Sequence, residues 1–291
     1  MKPVSWIVLL ILGFACCLLL VYLSGNTAEF GRHNPGWNGT SRFFDALDRH
    51  HLAEIENPSG LSGYTNSTLL VVSPYRQFTR DDLRAYRDFV DRGNTLILAD
   101  DFGTGNELLA GIGSSLMILP GNLSGVDRLY DSSYTVVAYP AESATLPVSG
   151  QKFVLDMGAA VRGGTPDLVT GLMSWVDTTG SPGPGPGTQI SGYPVAAHES
   201  VGQGTVYVIG DPSFFINSML ETKTGYADKD AMVRLIPARD TVIVDAYSTR
   251  AAAGSGFWNA VHAIRTDIAI KMGIVAIILI VAGIVWKKKI V

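Results

Sequence analysis

Short apolar runs alternate with amphipathic segments along the middle of the chain. Two runs without a polar interior, STLLVVS at residues 67–73 and TLILA at Thr95–Ala99, predict strands that are buried on both faces. The segment between them, TRDDLRAYRDFVDRG, keeps its apolar residues at helical spacing. Thr79 caps the start of this predicted helix and Gly93 ends it. The order strand, helix, strand is typical of a parallel sheet.

A second stretch repeats this order nearer to the carboxyl terminus. GTVYVIGDPSFFINSML contains an apolar strand at residues 205–209, and we expect a helix capped by Ser213 after its Gly-Asp-Pro turn. TVIVDAY, residues 241–247, predicts a last strand, whereas residues 116–161 resemble an antiparallel excursion without helices. The whole pattern predicts an α/β fold with a doubly wound, mostly parallel sheet of the flavodoxin-like kind.

Both ends of the chain are apolar. Residues 6–23 carry no charge, and residues 268–286 precede three lysines, so each segment predicts a transmembrane helix. Lys2 and the lysines after residue 286 place both termini in the cytoplasm by the positive-inside rule. A cleaved signal peptide is the alternative for the first segment. The predicted division is residues 1–23 as an N-terminal transmembrane helix, residues 24–267 as an extracytoplasmic domain, and residues 268–291 as a C-terminal transmembrane helix with a lysine tail.

The charge between these two segments is strongly negative. All 26 acidic residues lie there, against 17 of the 22 lysines and arginines, because Lys2, Lys271 and the three terminal lysines lie outside. The difference, 17 − 26, is a net charge of −9. Such a surface repels nucleic acid, which we therefore exclude as a partner.

The two cysteines, Cys16 and Cys17, are adjacent in the first apolar segment. The rest of the chain therefore has no disulfide, no thiolate metal site and no cysteine nucleophile. The histidines lack metal-ligand spacing and no nucleotide-binding motif occurs, so we predict no cofactor. Three sequons offer candidate glycosylation sites, at Asn38, Asn66 and Asn122.

Polar side chains follow two of the predicted strands. Asp100, Asp101 and Asn106 come after the strand TLILA, and Asp211 and Asn217 come after the strand at residues 205–209. Because ligands bind at the carboxyl ends of parallel strands, these five residues are the predicted ligand site. Their oxygens suit a hard cation such as Ca²⁺, but Asp and Asn are equally common as turn and cap formers, so a metal is left open.

Three blocks of the sequence carry a resemblance to a known family, namely NPGWNGTSRFFDAL, LLVVSPYRQFTRDDLRAYRDFVDRGNTLILADDFGTGNELL and GQGTVYVIGDPSFFINSML. Together they resemble the DUF4350 family, membrane-anchored proteins of archaea and bacteria. The resemblance implies a fold like that of class I glutamine amidotransferases, and an envelope assembly system with a MoxR-type AAA+ ATPase and von Willebrand-like proteins as partners. An acidic residue and a histidine often follow the last strand in this family, but here Asp245 is followed by Ala246 and Tyr247.

An active amidotransferase-like domain needs a cysteine after a central strand, where this chain has Asp101, Phe102 and Gly103. We therefore predict a non-catalytic, membrane-anchored binding or scaffold subunit with no catalytic residue, in contact with the lipid bilayer. Its predicted location is the cell membrane, with two passes, both termini in the cytoplasm and the main domain outside. The alternatives are an accessory subunit of an ABC-type transporter and a degenerate amidotransferase-like hydrolase that uses Asp or Ser.

Overall fold

A computed structural model describes residues 28–47, 51–147, 150–180, 183–221, 225–237 and 239–249, with Gly13, Phe14, Cys17 and Met272 as isolated positions. The chain divides into two compact units, one formed by Met1–Asn26 with Gly254–Val291 and the other by Thr27–Ala253. All strands and helices bounded below belong to the second unit.

A nine-stranded sheet forms the centre of this unit. Its strands are β1 His51–Ile55, β2 Ser67–Val72, β3 Thr95–Ala99, β6 Val137–Pro140, β7 Phe153–Val154, β9 Thr165–Thr170, β11 Pro194–Val201, β12 Gly204–Ile209 and β13 Thr241–Asp245. They lie side by side in the order β1-β13-β2-β3-β12-β11-β9-β6-β7. Two antiparallel ribbons accompany the sheet, and their strands are β4 Met117–Ile118 with β8 Val161–Arg162, and β5 Asn122–Gly125 with β10 Ser174–Asp177.

One half of the sheet is parallel. The neighbours β1, β13, β2, β3 and β12 all run in the same direction. Every residue of β2 and β3 is buried, as expected for parallel strands that are covered on both faces. The strands expected at residues 67–73, 205–209 and 241–247 are therefore present, with ends that differ by one or two residues.

Among the described residues, four helices and two 3₁₀ turns cover the sheet. Their bounds are α1 Ser41–Leu47, α2 Arg80–Asp91, α3 Asn106–Ile112 and α4 Lys229–Arg234, with 3₁₀ turns at Pro58–Gly63 and Pro212–Phe215. The Thr79 hydroxyl accepts from the Asp82 backbone N–H, and the Asp82 carboxylate accepts from the Thr79 N–H. This capping box starts α2 where the sequence predicts it.

The residues of β3 alternate between two hydrophobic cores. Leu96 and Leu98 face α2 and α3, where Phe89 and Leu109 are fully buried. Ile97 and Ala99 face the opposite layer, to which α1 and the second 3₁₀ turn contribute aromatic rings and α4 contributes aliphatic side chains. In that layer the Phe43 and Phe215 ring centroids lie 4.6 Å apart. An apolar strand with two buried faces thus joins both cores.

The prediction of a doubly wound, mostly parallel sheet is wrong, because the other half of the sheet is antiparallel. β11 pairs antiparallel with both β12 and β9, and β6 pairs antiparallel with β9 and β7. Only Gly202 and Gln203 separate β11 from β12, and Gly202 has φ +57°. A two-residue turn closes a hairpin, whereas a parallel pair needs a crossover of a dozen residues or more. The observed sheet is therefore mixed.

The flanking transmembrane helices of the predicted fold are not found. Among the described residues, no helix has the length and apolar character needed to cross a bilayer. Residues 6–23 and 268–286, on which the prediction rested, lie outside the described residues except for isolated positions. This finding contradicts the predicted cell-membrane location with two passes and both termini in the cytoplasm.

A buried carboxylate ties the last strand to α2. The Tyr86 hydroxyl donates to Asp245 Oδ2 over 2.6 Å, and the backbone N–H groups of Tyr247 and Ser248 donate to Oδ1 over 2.8 and 3.0 Å. Burial raises the pKa of Asp245, although these donors favour its charged form. The acidic residue of this corner is therefore held inside the fold.

Replacing Tyr86 with Phe removes one donor and leaves the packing in place. We expect Y86F to lower the free energy of unfolding by about 1–3 kcal/mol, because the buried Asp245 carboxylate loses one of its hydroxyl donors and keeps only that of Ser248 on Oδ2. Urea unfolding measures the change. The control is Y193F, since Tyr193 donates to the Gln189 carbonyl at an exposed site. Equal effects of Y86F and Y193F would contradict a stabilising role of this corner.

Candidate functional site

The carboxyl ends of β3 and β12 meet at one edge of the sheet. Ala99 lies opposite Ile209 in the parallel ladder, and the Asp100 N–H donates to the Ile209 carbonyl over 3.0 Å. Asp100 and Asp101 follow Ala99 directly, and Asp211 follows Ile209 after Gly210, so three of the predicted site residues lie at this edge. The charge of Asp101 contributes to a raised pKa at Asp211, so these two carboxyl groups interact.

Asp100 has a structural role in the turn after β3. Its side chain is fully buried, and its two oxygens accept from the backbone N–H groups of Phe102, over 3.1 Å, and Gly105, over 2.7 Å. Burial raises the pKa of Asp100, and the backbone donors oppose that rise. Asp100 therefore holds the turn and the start of α3 through two backbone hydrogen bonds.

Asp211 is also buried and bonded to backbone. Its carboxylate accepts from the N–H groups of Asp156 and Ser213, both over 2.7 Å. Burial is the main cause that raises its pKa well above the ordinary range. Asp211 caps the 3₁₀ turn Pro212–Phe215, where we had expected a helix capped by Ser213. Its carboxylate thus fixes the loop that carries Asp156.

Asn106 and Asn217 hold other segments of backbone. The Asn106 amide exchanges two hydrogen bonds with the backbone of Ile118, over 2.9 and 2.8 Å, and so joins α3 to β4. The Asn217 amide donates to the carbonyls of Asn34 and Gly36, and its oxygen accepts from the Arg42 N–H at the start of α1. Both amides stabilise the fold by bonding to backbone groups of other segments, and neither lines the cleft described next.

Asp101 differs from the other predicted residues because it faces a cleft. This cleft has a volume of about 320 Å³ and is also lined by the carboxylates Glu29 and Asp156. The Oδ1 atom of Asp101 is shielded from solvent and has no hydrogen-bond partner among the described residues. Burial, followed by the charge of Asp100, raises the pKa of Asp101 to about 7. Glu29 and Asp156 add smaller repulsions.

Aromatic side chains stand at the same cleft. Trp37 is 69% exposed and Phe102 is 80% exposed, although both are large and apolar. No lysine or arginine is among the described residues that line the cleft. The described lining of the cleft therefore offers three carboxylates and two aromatic side chains and includes no basic side chain.

Sequence reasoning missed four of these residues, namely Glu29, Trp37, Phe102 and Asp156. Trp37 had a usable signal, because a tryptophan within the Gly- and Asn-rich segment NPGWNGT has few apolar neighbours to bury it. Glu29 and Asp156 lie in loops far from β3 in sequence, and their approach depends on the tertiary fold.

A metal site finds no geometric support in this part of the fold. Within the described residues, no group of three or more His, Cys, Asp and Glu side chains is arranged to hold a metal ion. The carboxylates of Asp100 and Asp211 instead accept from backbone N–H groups.

The three sequons occupy different environments. Asn38 and Asn122 line the cleft, whereas Asn66 is exposed and accepts from Arg239 over 2.9 Å. The hydroxyl residue of each sequon is buried, and the Thr40 hydroxyl donates to the Phe30 carbonyl over 2.9 Å. Glycosylation stays a prediction, and a glycan on Asn38 would stand at the cleft.

The fold and the cleft define a class of protein, a mixed α/β domain with an acidic cleft at the carboxyl edge of its parallel strands. The chain belongs to the family DUF4350, described as a domain of unknown function, whose model matches residues 32–227. No curated protein matches the chain. The family resemblance seen in the sequence is thus confirmed, and it brings no assigned activity.

Solved structures resemble the fold only in part. The N-terminal domain of mmIFT52 is 15% identical with a TM-score of 0.45, and the match covers 60% of this chain and 76% of that one. A beta-galactosidase from Rahnella sp. R3 is 12% identical with a TM-score of 0.36, covering 58% and 21%. One from Bacillus circulans sp. alkalophilus is 11% identical with a TM-score of 0.28, covering 62% and 25%. The chain thus spans about a quarter or less of these galactosidases, and an amidotransferase-like fold is not confirmed.

The raised pKa of Asp101 predicts a stability that depends on pH. The folded-state pKa of about 7 exceeds the ordinary 3.8, so the folded chain retains a proton that the unfolded chain releases. The stability associated with this proton is complete below the unfolded value and is lost as the pH rises through 7. D101N carries no such proton, so its stability relative to wild type should rise between about pH 4 and pH 8, by at least about 1.4 kcal/mol, the value of one pKa unit.

Urea unfolding of both proteins across this pH range measures the difference. D88N is the matched control, because Asp88 is an exposed carboxylate on α2. A pH-independent difference between D101N and wild type would show that Asp101 titrates normally.

Proposed function

We propose that this chain is a binding or scaffold subunit whose acidic cleft recognises a positively charged group of a partner. The observation that carries the proposal is the composition of the cleft, with the carboxylates of Glu29, Asp101 and Asp156 and no basic side chain among its described lining. A site of one charge sign favours an occupant of the opposite sign.

The electrostatics of Asp101 support a cationic occupant. The repulsion from Asp100, Glu29 and Asp156 acts against the charged form of Asp101, and burial acts in the same direction. A bound cation reverses the effect of charge, since it stabilises the carboxylate, and gives the shielded Oδ1 a hydrogen-bond donor. Binding of a cation therefore removes an unfavourable feature of the empty cleft.

The aromatic side chains define the kind of cation. Trp37 and Phe102 expose ring faces next to the carboxylates, and ring faces attract ammonium and guanidinium groups. A cleft of about 320 Å³ accepts one or two side chains and is too small for a folded domain. The best match is a lysine or arginine side chain on an exposed segment of a partner.

The cleft is proposed to bind and not to catalyse. The chain has no thiol beyond Cys16 and Cys17, so the cysteine mechanism that active amidotransferase-like domains use is excluded by composition. Asp100 and Asp211 direct their oxygens to backbone N–H groups and so cannot act as nucleophiles without breaking the turn. The MoxR-type AAA+ ATPase and the von Willebrand-like proteins remain predictions for the partner that supplies the cation.

Titration with short peptides tests the proposal. We expect an acetylated peptide that contains a central arginine to bind the full chain and to quench Trp37 fluorescence, whereas its citrulline counterpart, which is neutral, binds at least about tenfold more weakly. D101N should weaken arginine-peptide binding about tenfold, because one charge pair at the cleft is lost. Added salt should weaken binding further.

D88N serves again as the control for net charge, since it removes the same charge from an exposed position on α2. W37A tests the aromatic contact separately. Equal affinity for the arginine and citrulline peptides, or equal effects of D101N and D88N, would show that the cleft does not recognise a cation.

A further inference from the structure

A second group of polar side chains lies in the antiparallel half of the sheet, away from the cleft residues. Asp167 on β9, His198 on β11 and Tyr207 on β12 come from three adjacent strands, and His198 is the direct partner of Tyr207 in the ladder. Thr145 joins them from the loop after β6. None of these four residues belongs to the acidic cleft.

Asp167 fixes the orientation of the His198 ring. Its carboxylate is fully buried, and Oδ1 accepts from the backbone N–H groups of Thr145, over 2.7 Å, and Leu146, over 3.2 Å. Oδ2 lies 2.7 Å from His198 Nδ1. Because this carboxylate acts as an acceptor, Nδ1 is the donor, and the lone pair of the neutral ring is on Nε2.

The Thr145 hydroxyl does not occupy that lone pair. Thr145 Oγ1 lies 3.3 Å from Nδ1 and 3.4 Å from Nε2 of His198. An oxygen equally distant from both ring nitrogens is off the axis of the Nε2 lone pair, so Thr145 is poorly placed as a nucleophile. The same oxygen is 3.3 Å from the Tyr207 hydroxyl, so two hydroxyl groups stand side by side next to the ring.

The group is open to solvent. The His198 side chain is 14% exposed, and Thr145 is exposed. An oriented imidazole, a buried carboxylate behind it and two hydroxyl donors beside it are the groups that ester hydrolysis requires.

We propose that Asp167, His198, Thr145 and Tyr207 form a hydrolytic site for small carboxylic esters, with His198 as general base. Nε2 takes a proton from a water molecule while the water oxygen bonds to the ester carbonyl carbon. The two hydroxyls donate to the carbonyl oxygen as it gains negative charge. The carbon–oxygen bond to the alcohol then breaks, and the proton passes from Nε2 to the alcohol oxygen. The products are a carboxylic acid and an alcohol, and Asp167 is a positioning residue.

This activity goes beyond the proposed binding function and uses other residues, so either proposal can fail alone. The full chain is assayed with 4-nitrophenyl acetate, and wild type should show saturable hydrolysis. H198Q should lower kcat about 100-fold, the range of general-base catalysis. Y207F and T145V should each lower kcat with little change in KM. D88N, at an exposed position on α2 outside both proposed sites, should leave this rate unchanged.

Asp167 is tested through the state of the ring. D167N should lower kcat, and ¹⁵N NMR of labelled His198 should show that Nδ1 loses its preferred proton. Y193F is the control for loss of a tyrosine hydroxyl, and circular dichroism confirms that each variant is folded. Any exposed imidazole attacks 4-nitrophenyl acetate slowly and without saturation. Non-saturable hydrolysis, or equal rates for wild type, H198Q and Y207F, would therefore show only this background reaction and would overturn the proposal. If D167N does not fold, the kcat values of H198Q and Y207F still test the proposal.

Discussion

The parallel pairing of β12 with β3 is the constraint on which the rest of the structure depends. β12 is the last strand of the parallel half and, through its tight hairpin with β11, the first strand of the antiparallel half. Its carboxyl end places Asp211 next to the turn that carries Asp101. Its middle places Tyr207 opposite His198. One strand thus fixes the position of both groups of polar side chains, and a change in its register would separate each group at once.

Burial explains why the predicted site residues have different roles. At the edge of a sheet that is covered on both faces, backbone N–H groups of the connecting loops lose contact with water and need acceptors. Asp100 and Asp211 meet that need with two backbone donors each. The amide oxygens of Asn106 and Asn217 also accept from backbone N–H groups, and their amide nitrogens donate to backbone carbonyls. Asp101 has a shielded oxygen with no donor among the described residues, and it alone of the five lines the cleft.

The sequence predicts what short-range patterns encode. The apolar runs of β2 and β3 and the capping box at Thr79 are local signals, and the structure contains all three elements. The antiparallel half has weaker signals. β6 and β7 fall within residues 116–161, where the sequence predicts an antiparallel excursion, but both are short, and polar residues interrupt the apolar pattern of β11. Asp167 and His198 are 31 residues apart, and only the pairing of β9 with β11 brings them together. The five site residues were correctly placed after their strands, but whether each faced backbone or solvent depended on loops that the pattern does not specify.

The carboxyl group at position 101 distinguishes a binding role of this residue from a role in folding. The turn after β3 is already held by Asp100, and the chain uses neutral amides at Asn106 and Asn217 where a neighbouring segment needs both a donor and an acceptor. A carboxylate at position 101 has its pKa raised to about 7, so its charge opposes folding at neutral pH. An asparagine would fit the same turn without that cost. A charge that weakens the fold and faces a cleft with exposed aromatic rings is therefore best explained by a ligand that compensates it.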